Sequence, residues 1–340
     1  MKSKINLLVE LNKKHSELFC SQKLERDLYR ANHPTNVVAF KCMDGRIHLP
    51  VITQTPLGII SPYRNMGGRF DLGWPLLNVS FDESVSRAVK RGERTLVLVT
   101  YHFSKGDAHR GCAGFSYNCE ESKKFTANFR DQIRRIYGEN NQVVFPVLIG
   151  IETDDDVLIL HGDNGEVVDM GEVEEEDEAS LVLMIRRLFP NMPERIVSDF
   201  LPIIKGNLNQ LGEKKEHKEE AQLVHGEWVL AVGKGFDWLH TPNLALIVGP
   251  YDPNIGEPIK TAAGIIKANW EFGRIEKGIV VLASAVYADA ADKTKTQERA
   301  IFMQKLSEDI IAQNYPEMVE YMNSMAVVVD HNTMKMEVIG

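Results

Sequence analysis

Cysteine is scarce in this sequence, and what there is comes early. Of 340 residues only Cys20, Cys42, Cys112 and Cys119 are cysteines. That is too few, in a chain of this length, for a disulfide-stapled fold; metal ligation or thiolate chemistry is the better use for them. No run of about 18 apolar residues occurs, which excludes a membrane-spanning helix. A basic stripe with interleaved aromatics is also missing, and Asp and Glu outnumber Lys and Arg by 48 to 39. Nucleic acid is therefore not an expected partner. The N-terminus, MKSKINLLVELNKKHSELF, breaks its apolar residues with Glu10, Asn12 and Lys13. It reads as an amphipathic helix rather than a secretory leader, so a cytoplasmic protein is expected.

What is present describes a globular chain of about two domains, 44% apolar and 26% charged. Residues 1–35 read as an N-terminal helical segment. Strands are expected over 36–43, 57–65 and 94–103, with a strand, acidic turn and return strand over 142–162. A helix is expected over 80–92, capped by Ser80 with Glu83 and striped by Val85, Ala88 and Val89. Another spans 120–138 and stops at Gly138. Apolar runs alternating with helices predict an α/β fold with a mostly parallel sheet covered on both faces.

The plan then repeats. VVAFKCMDGRIHLP (37–50) lies over VLAVGKGFDWLHTP (229–242), matching Val37, Ala39, His48 and Pro50 with Val229, Ala231, His240 and Pro242. SPYRN (61–65) meets GPYDPN (249–254), the strand at 94–103 meets KGIVVLASAVY (277–287), and the helix at 120–138 meets 299–317. An internal duplication is expected: a first copy over 36–170, an acidic and helical connection over 171–227, and a second copy over 228–340. The acidic GEVEEEDEA (171–179) and the charged GEKKEHKEE (212–220) read as solvated. The second copy has lost the polar residues of the first: Cys42, Asp44 and Arg46 fall on Lys234, Phe236 and Trp238. One active site per chain follows, with the degenerate copy packed on the first as an intramolecular pseudo-dimer that walls in its pocket.

CMDGR (42–46) ends the first strand, and HRGC (109–112) follows the neighbouring one. Ligands in an open parallel sheet gather outside the carboxyl ends of the strands. Cys42, His109 and Cys112 therefore form an expected donor set for Zn²⁺, one per chain, with three protein ligands leaving the fourth tetrahedral position for water. Such a zinc lowers the pKa of its water toward about 7, giving a hydroxide at neutral pH. Asp44 is spaced to orient that hydroxide and Arg46 to hold Asp44 ionised. Each part alone has a bland reading: a buried thiol, a surface ion pair. Only the combination is specific.

These motifs resemble those of β-class carbonic anhydrases. The similarity is closest to the carboxysome shell carbonic anhydrase family, carried by CMDGR, YHFS, HRGCAG, LIGIETD (148–154) and GKGFD (233–237), with YRNMGG (63–68) like the Arg-Asn-Ala-Gly segment of the wider class. The resemblance covers roughly residues 36 to 340. It implies an internally duplicated β-carbonic-anhydrase-like fold, Cys42, His109 and Cys112 as zinc ligands, Asp44 and Arg46 as the catalytic dyad, and reversible hydration of CO₂ to bicarbonate. Hydrolysis of carbonyl sulfide or carbon disulfide at the same site is one alternative; a non-catalytic zinc scaffold closed by Asp44 is another. His102 is a second candidate for the imidazole, set behind His109 because the family motif carries lysine there. His48 is a candidate proton shuttle, although its alignment with His240 favours a structural role. Arg64, Asn65, Gly67 and Gly68 either line the pocket or turn the chain. Only some 35 residues precede the first copy, where carboxysomal members carry a long region. A freestanding cytoplasmic enzyme, a homodimer of pseudo-dimeric chains, is thus expected ahead of carboxysome shell or Rubisco contact.

Overall fold

The apolar runs at the heads of the two repeats have almost no polar residue to turn toward water, so each must be covered on both faces. They are the central strands of two sheets. The structure, a computed structural model, describes residues 2–137, 143–173, 177–216, 225–241 and 244–339. The expected helix stop at Gly138, Glu174–Glu176 of the acidic stretch, residues 217–220 of the charged segment and Pro242 of the repeat lie outside them.

The chain opens with helices α1 (Lys2–Ser21) and α2 (Lys23–Asn32). The first sheet follows: β1 (Asn36–Cys42), α3 (Leu49–Ile52), β2 (Ile60–Asn65), α4 (Pro75–Lys90), β3 (Thr95–Phe103), α5 (Cys119–Tyr137), β4 (Val144–Glu152), β5 (Val157–His161) and β6 (Val167–Asp169). Helices α6 (Glu178–Leu188) and α7 (Glu194–Glu216) lead to the second: β7 (Val229–Gly233), β8 (Ala245–Val248), α8 (Gly256–Glu271), β9 (Ile279–Tyr287), α9 (Ala290–Asn314), β10 (Met322–Asp330) and β11 (Met336–Ile339). The strand orders are β2-β1-β3-β4-β5-β6 and β11-β10-β9-β7-β8. Reversing the second gives β8-β7-β9-β10-β11, the order of the first five strands of the other sheet. In both, four parallel strands are followed by one antiparallel strand. Helices flank each sheet, as the alternation of apolar runs and helical patterns required.

Two expectations need correcting. Helix α4 starts at Pro75, not at Ser80. Proline's fixed φ and missing N–H suit the first helical position, and the Ser80–Glu83 spacing falls inside the helix rather than at its start. The pairing of SPYRN with GPYDPN also slips. Val37 pairs with Ile60 where Val229 pairs with Ala245, so register sets Tyr63 against Val248, and Tyr251 comes three residues later, past the strand.

The two sheets meet along β2 and β8. Ile247 N donates to Met43 O at 2.7 Å, Gly45 N to Ala245 O at 3.1 Å and Gly249 N to Arg64 O at 3.0 Å. His48 stacks on His240, centroids 4.1 Å apart, and Tyr63 on Tyr251 at 4.8 Å. His48 and His240, paired by the repeat, thus touch each other, which is what happens at the axis of a two-fold interface, here within one chain. The amphipathic N-terminal helix closes the far side. Asn12 Nδ2 donates to Met334 O at 3.0 Å and Asn12 Oδ1 accepts from Met336 N at 2.9 Å.

Three buried histidines carry a pH dependence. Burial holds His15 and His161 down at about 4 and pushes His48 well below its usual range. Such groups bind protons more weakly folded than unfolded. Their contribution is complete above the unfolded value of about 6.5 and is lost as pH falls through the folded values. For His15 alone this is on the order of 3 kcal/mol. Urea unfolding is expected to show falling stability between about pH 6.5 and 4; a flat profile there would contradict the burial of these rings as neutral bases.

Candidate metal centre

Cys42 ends β1, His102 stands one residue before the end of β3, and Cys112 follows the turn after β3. All three are buried, and one donor atom of each lies within 4.8 Å of the others. The sulfurs are 3.9 Å apart. Their mutual hydrogen bond, opposed by burial, drives the Cys42 thiol well down while Cys112 is pushed up. Either sulfur can be the donor in that bond. His102 is 2% exposed, and neither of its ring nitrogens has a hydrogen-bond partner. An imidazole buried with both nitrogens unpaired is costly unless something else takes one of them. Two sulfurs and that nitrogen are a donor set suited to Zn²⁺, so the residues present fit the metal.

His109, the imidazole expected from the His-x-x-Cys spacing, is not brought into this cluster. It sits on a short turn, Ala108–Arg110, with its side chain 83% exposed. Its Nδ1 meets Asp107 Oδ1 at 3.3 Å and its ring packs near Tyr117. The turn itself is pinned from β4. Asp154 accepts from Ser104 Oγ at 2.7 Å and Gly106 N at 2.8 Å, and pairs with Arg110 at 2.8 Å. Glu152 accepts from Lys105 N at 3.1 Å. These carboxylates of LIGIETD hold His109 outward while Cys112 turns in. Gly114 closes the turn where a Cβ would stand 2.7 Å from the Gly67 Cα.

Asp44 and Arg46 form the expected pair. Arg46 Nη2 donates to Asp44 Oδ2 at 2.6 Å, and Nε lies 3.1 Å from both carboxylate oxygens. Burial would raise the Asp44 carboxyl, but the Arg46 charge and hydrogen bonds outweigh it and hold it well below the usual range. Arg46 also donates to Arg110 O at 2.8 Å, tying the dyad to the turn that bears Cys112. Arg64, left open between pocket and turn by the sequence, is a tie: it donates to Asp44 O and Ile47 O, each at 2.9 Å. The dyad loop is fixed from outside too. Asp44 bridges Leu246, and a Cβ on Gly45 would stand 2.5 Å from Ala245 O.

A cavity of about 440 Å³ opens over these groups, lined by Cys42, Asp44 and His102 on one side. Leu246 of β8, with Ile265 and Ala268 of α8 and Phe272 at its C-terminal end, lines the other. Residues of β8 and α8 therefore wall the site. His48 lies apart, in the seam against His240.

The first sheet, with two thiols and an imidazole at its strand ends and a carboxylate–guanidinium pair beside them, lies within residues 33–176, which match a family model for a carbonic anhydrase catalytic domain. That model describes the carboxysome shell carbonic anhydrase catalytic domain. Cys42, Asp44, Arg46, His102 and Cys112 all fall within the matched residues. No curated protein matches the chain.

Proposed function

We propose that Cys42, His102 and Cys112 hold one catalytic zinc ion per chain and that the enzyme interconverts CO₂ and bicarbonate there. The observation that carries this reading is His102: buried, with both ring nitrogens unpaired, and within 4.8 Å of two thiol sulfurs. Zinc, when bound, supplies the Lewis acidity that makes a water nucleophilic near neutral pH.

The rest is work for the chain. Asp44 is kept ionised by Arg46, so its oxygens accept a hydrogen bond from the attacking water and orient its lone pair. Arg46 draws both carboxylate oxygens to itself, which supports an open site rather than one closed by Asp44. The apolar wall of Leu246, Ile265 and Phe272 suits a small uncharged substrate. The matching topology of the two sheets supports an origin by duplication, with only the first sheet keeping the chemistry.

Metal analysis with stopped-flow CO₂ hydration tests the reading. About one zinc per chain is expected, with Asp44→Asn lowering kcat/KM by about 10²–10³-fold while the metal stays, as for removal of one charge-stabilising group. Two zincs per chain, or an unaffected Asp44→Asn, would contradict it.

A further inference from the structure

The stretch that leads into the second sheet places a histidine in the wall of the same cavity, beyond the residues that match the catalytic family. His225 Nδ1 lies 3.1 Å from Glu227 Oε1, and its Nε2 lies 3.2 Å from the backbone oxygen of His109. The His109 oxygen can only accept. A peptide carbonyl has no proton to give, so Nε2 donates to it, and Nδ1 shares a proton with the Glu227 carboxylate. Glu227 is 1% exposed. Its other oxygen accepts from Asn269 Nδ2 at 2.9 Å, and the same amide reaches the Glu227 carbonyl at 3.2 Å. Asn269 is itself oriented by Arg274 Nη1, which donates to its Oδ1 at 3.3 Å. A chain of hydrogen bonds thus runs from helix α8 through Asn269, Glu227 and His225 to the turn between β3 and Cys112.

We infer that His225, braced by Glu227 and Asn269, is a positioning residue for the carbonic anhydrase reaction, a strap by which the second sheet holds the metal-bearing turn and its dyad in place. The strap ends on the carbonyl of His109, and the next carbonyl, that of Arg110, is the one Arg46 holds. Slack in the turn is therefore felt by Arg46 and through it by Asp44, as well as by Cys112. Outer partners of this kind typically cost 10–100-fold in metal affinity or activity when removed. The second sheet is then a working part of the site, and a fragment ending at residue 176 would lack the strap. The inference rests on the zinc reading of the site.

Full-length, zinc-loaded protein carrying His225→Ala, Glu227→Gln, both changes, or His225→Arg provides the test. CO₂ hydration kinetics, zinc content and unfolding midpoint are measured on each. His225→Ala is expected to lower kcat/KM by about 10–100-fold, with zinc content and midpoint close to wild type. Members of one network are non-additive, so the double variant should be no worse than His225→Ala. Arginine, which keeps two donors and a positive charge, should restore most of the loss. A His225→Ala enzyme within about twofold of wild type, an arginine variant as poor as the alanine one, or losses that multiply in the double variant would overturn the inference. If Glu227→Gln does not fold, the alanine and arginine variants still decide it. A wild-type enzyme without zinc or without CO₂ hydration would instead overturn the zinc reading, so the two failures are distinct.

Discussion

His102→Ala is expected to lose zinc and CO₂ hydration together, by more than about 100-fold in kcat/KM, whereas His109→Ala keeps both. The lower bound follows because even outer partners of metal ligands cost up to about that much. His102 has no other bond to make. It is buried at the end of β3 with both nitrogens unpaired, and no described residue other than Cys42 and Cys112 joins it in a metal-sized cluster. The His109 ring is 83% exposed and meets Asp107 at the surface, where substitutions are usually worth within about 0.5 kcal/mol. Its carbonyl, which receives the strap, survives the change to alanine. The readouts are zinc content and stopped-flow hydration on each variant. Activity that follows His109 instead would return the site to the His-x-x-Cys spacing.

Gly45→Ala is expected to cost about 100-fold in kcat/KM with zinc retained, because Gly45 lies between Asp44 and Arg46 at the seam. Its nitrogen donates to Ala245 O, and an added Cβ would lie 2.5 Å from that same oxygen. Backbone cannot move aside as a side chain tip can, so the loop must shift. A shift of about 1 Å in a positioned group can cost on the order of 10²-fold. Overpacking of this kind also costs about 1–3 kcal/mol in stability. Kinetics and urea unfolding read the two effects separately. Wild-type kinetics in Gly45→Ala would mean that the seam does not set the dyad.

The fold was largely legible in the sequence because its signals are local. Buried parallel strands read as continuous apolar runs, and the repeat of Val37, Ala39 and His48 at Val229, Ala231 and His240 announced the second sheet. The dyad was legible for the same reason: Asp44 and Arg46 are two residues apart and bond each other. Which imidazole lies beside Cys42 and Cys112 was not, because the placing of His102 and His109 depends on which way a turn faces. That turn is set by Asp154 and Glu152, some 50 residues further on, whose carboxylates bond Ser104, Lys105 and Gly106. One signal did favour His102: it stands at the carboxyl end of a central strand, where the rule that selected Cys42 also places ligands. The contacts of Arg64, Gly45 and His225 were hidden for a related reason. Each acts on main-chain atoms of distant segments, and backbone carbonyls leave no mark in a sequence.

X-ray absorption at the zinc edge, on wild type and on the His102→Ala and His109→Ala variants, tests the ligand set most directly. The wild-type shell should hold two sulfurs at about 2.3 Å and one imidazole nitrogen at about 2.0–2.1 Å, with one lighter atom completing four-coordination. That shell should persist in His109→Ala and lose its imidazole, or the metal, in His102→Ala. A shell with a single sulfur, or one that survives His102→Ala and collapses in His109→Ala, would contradict it.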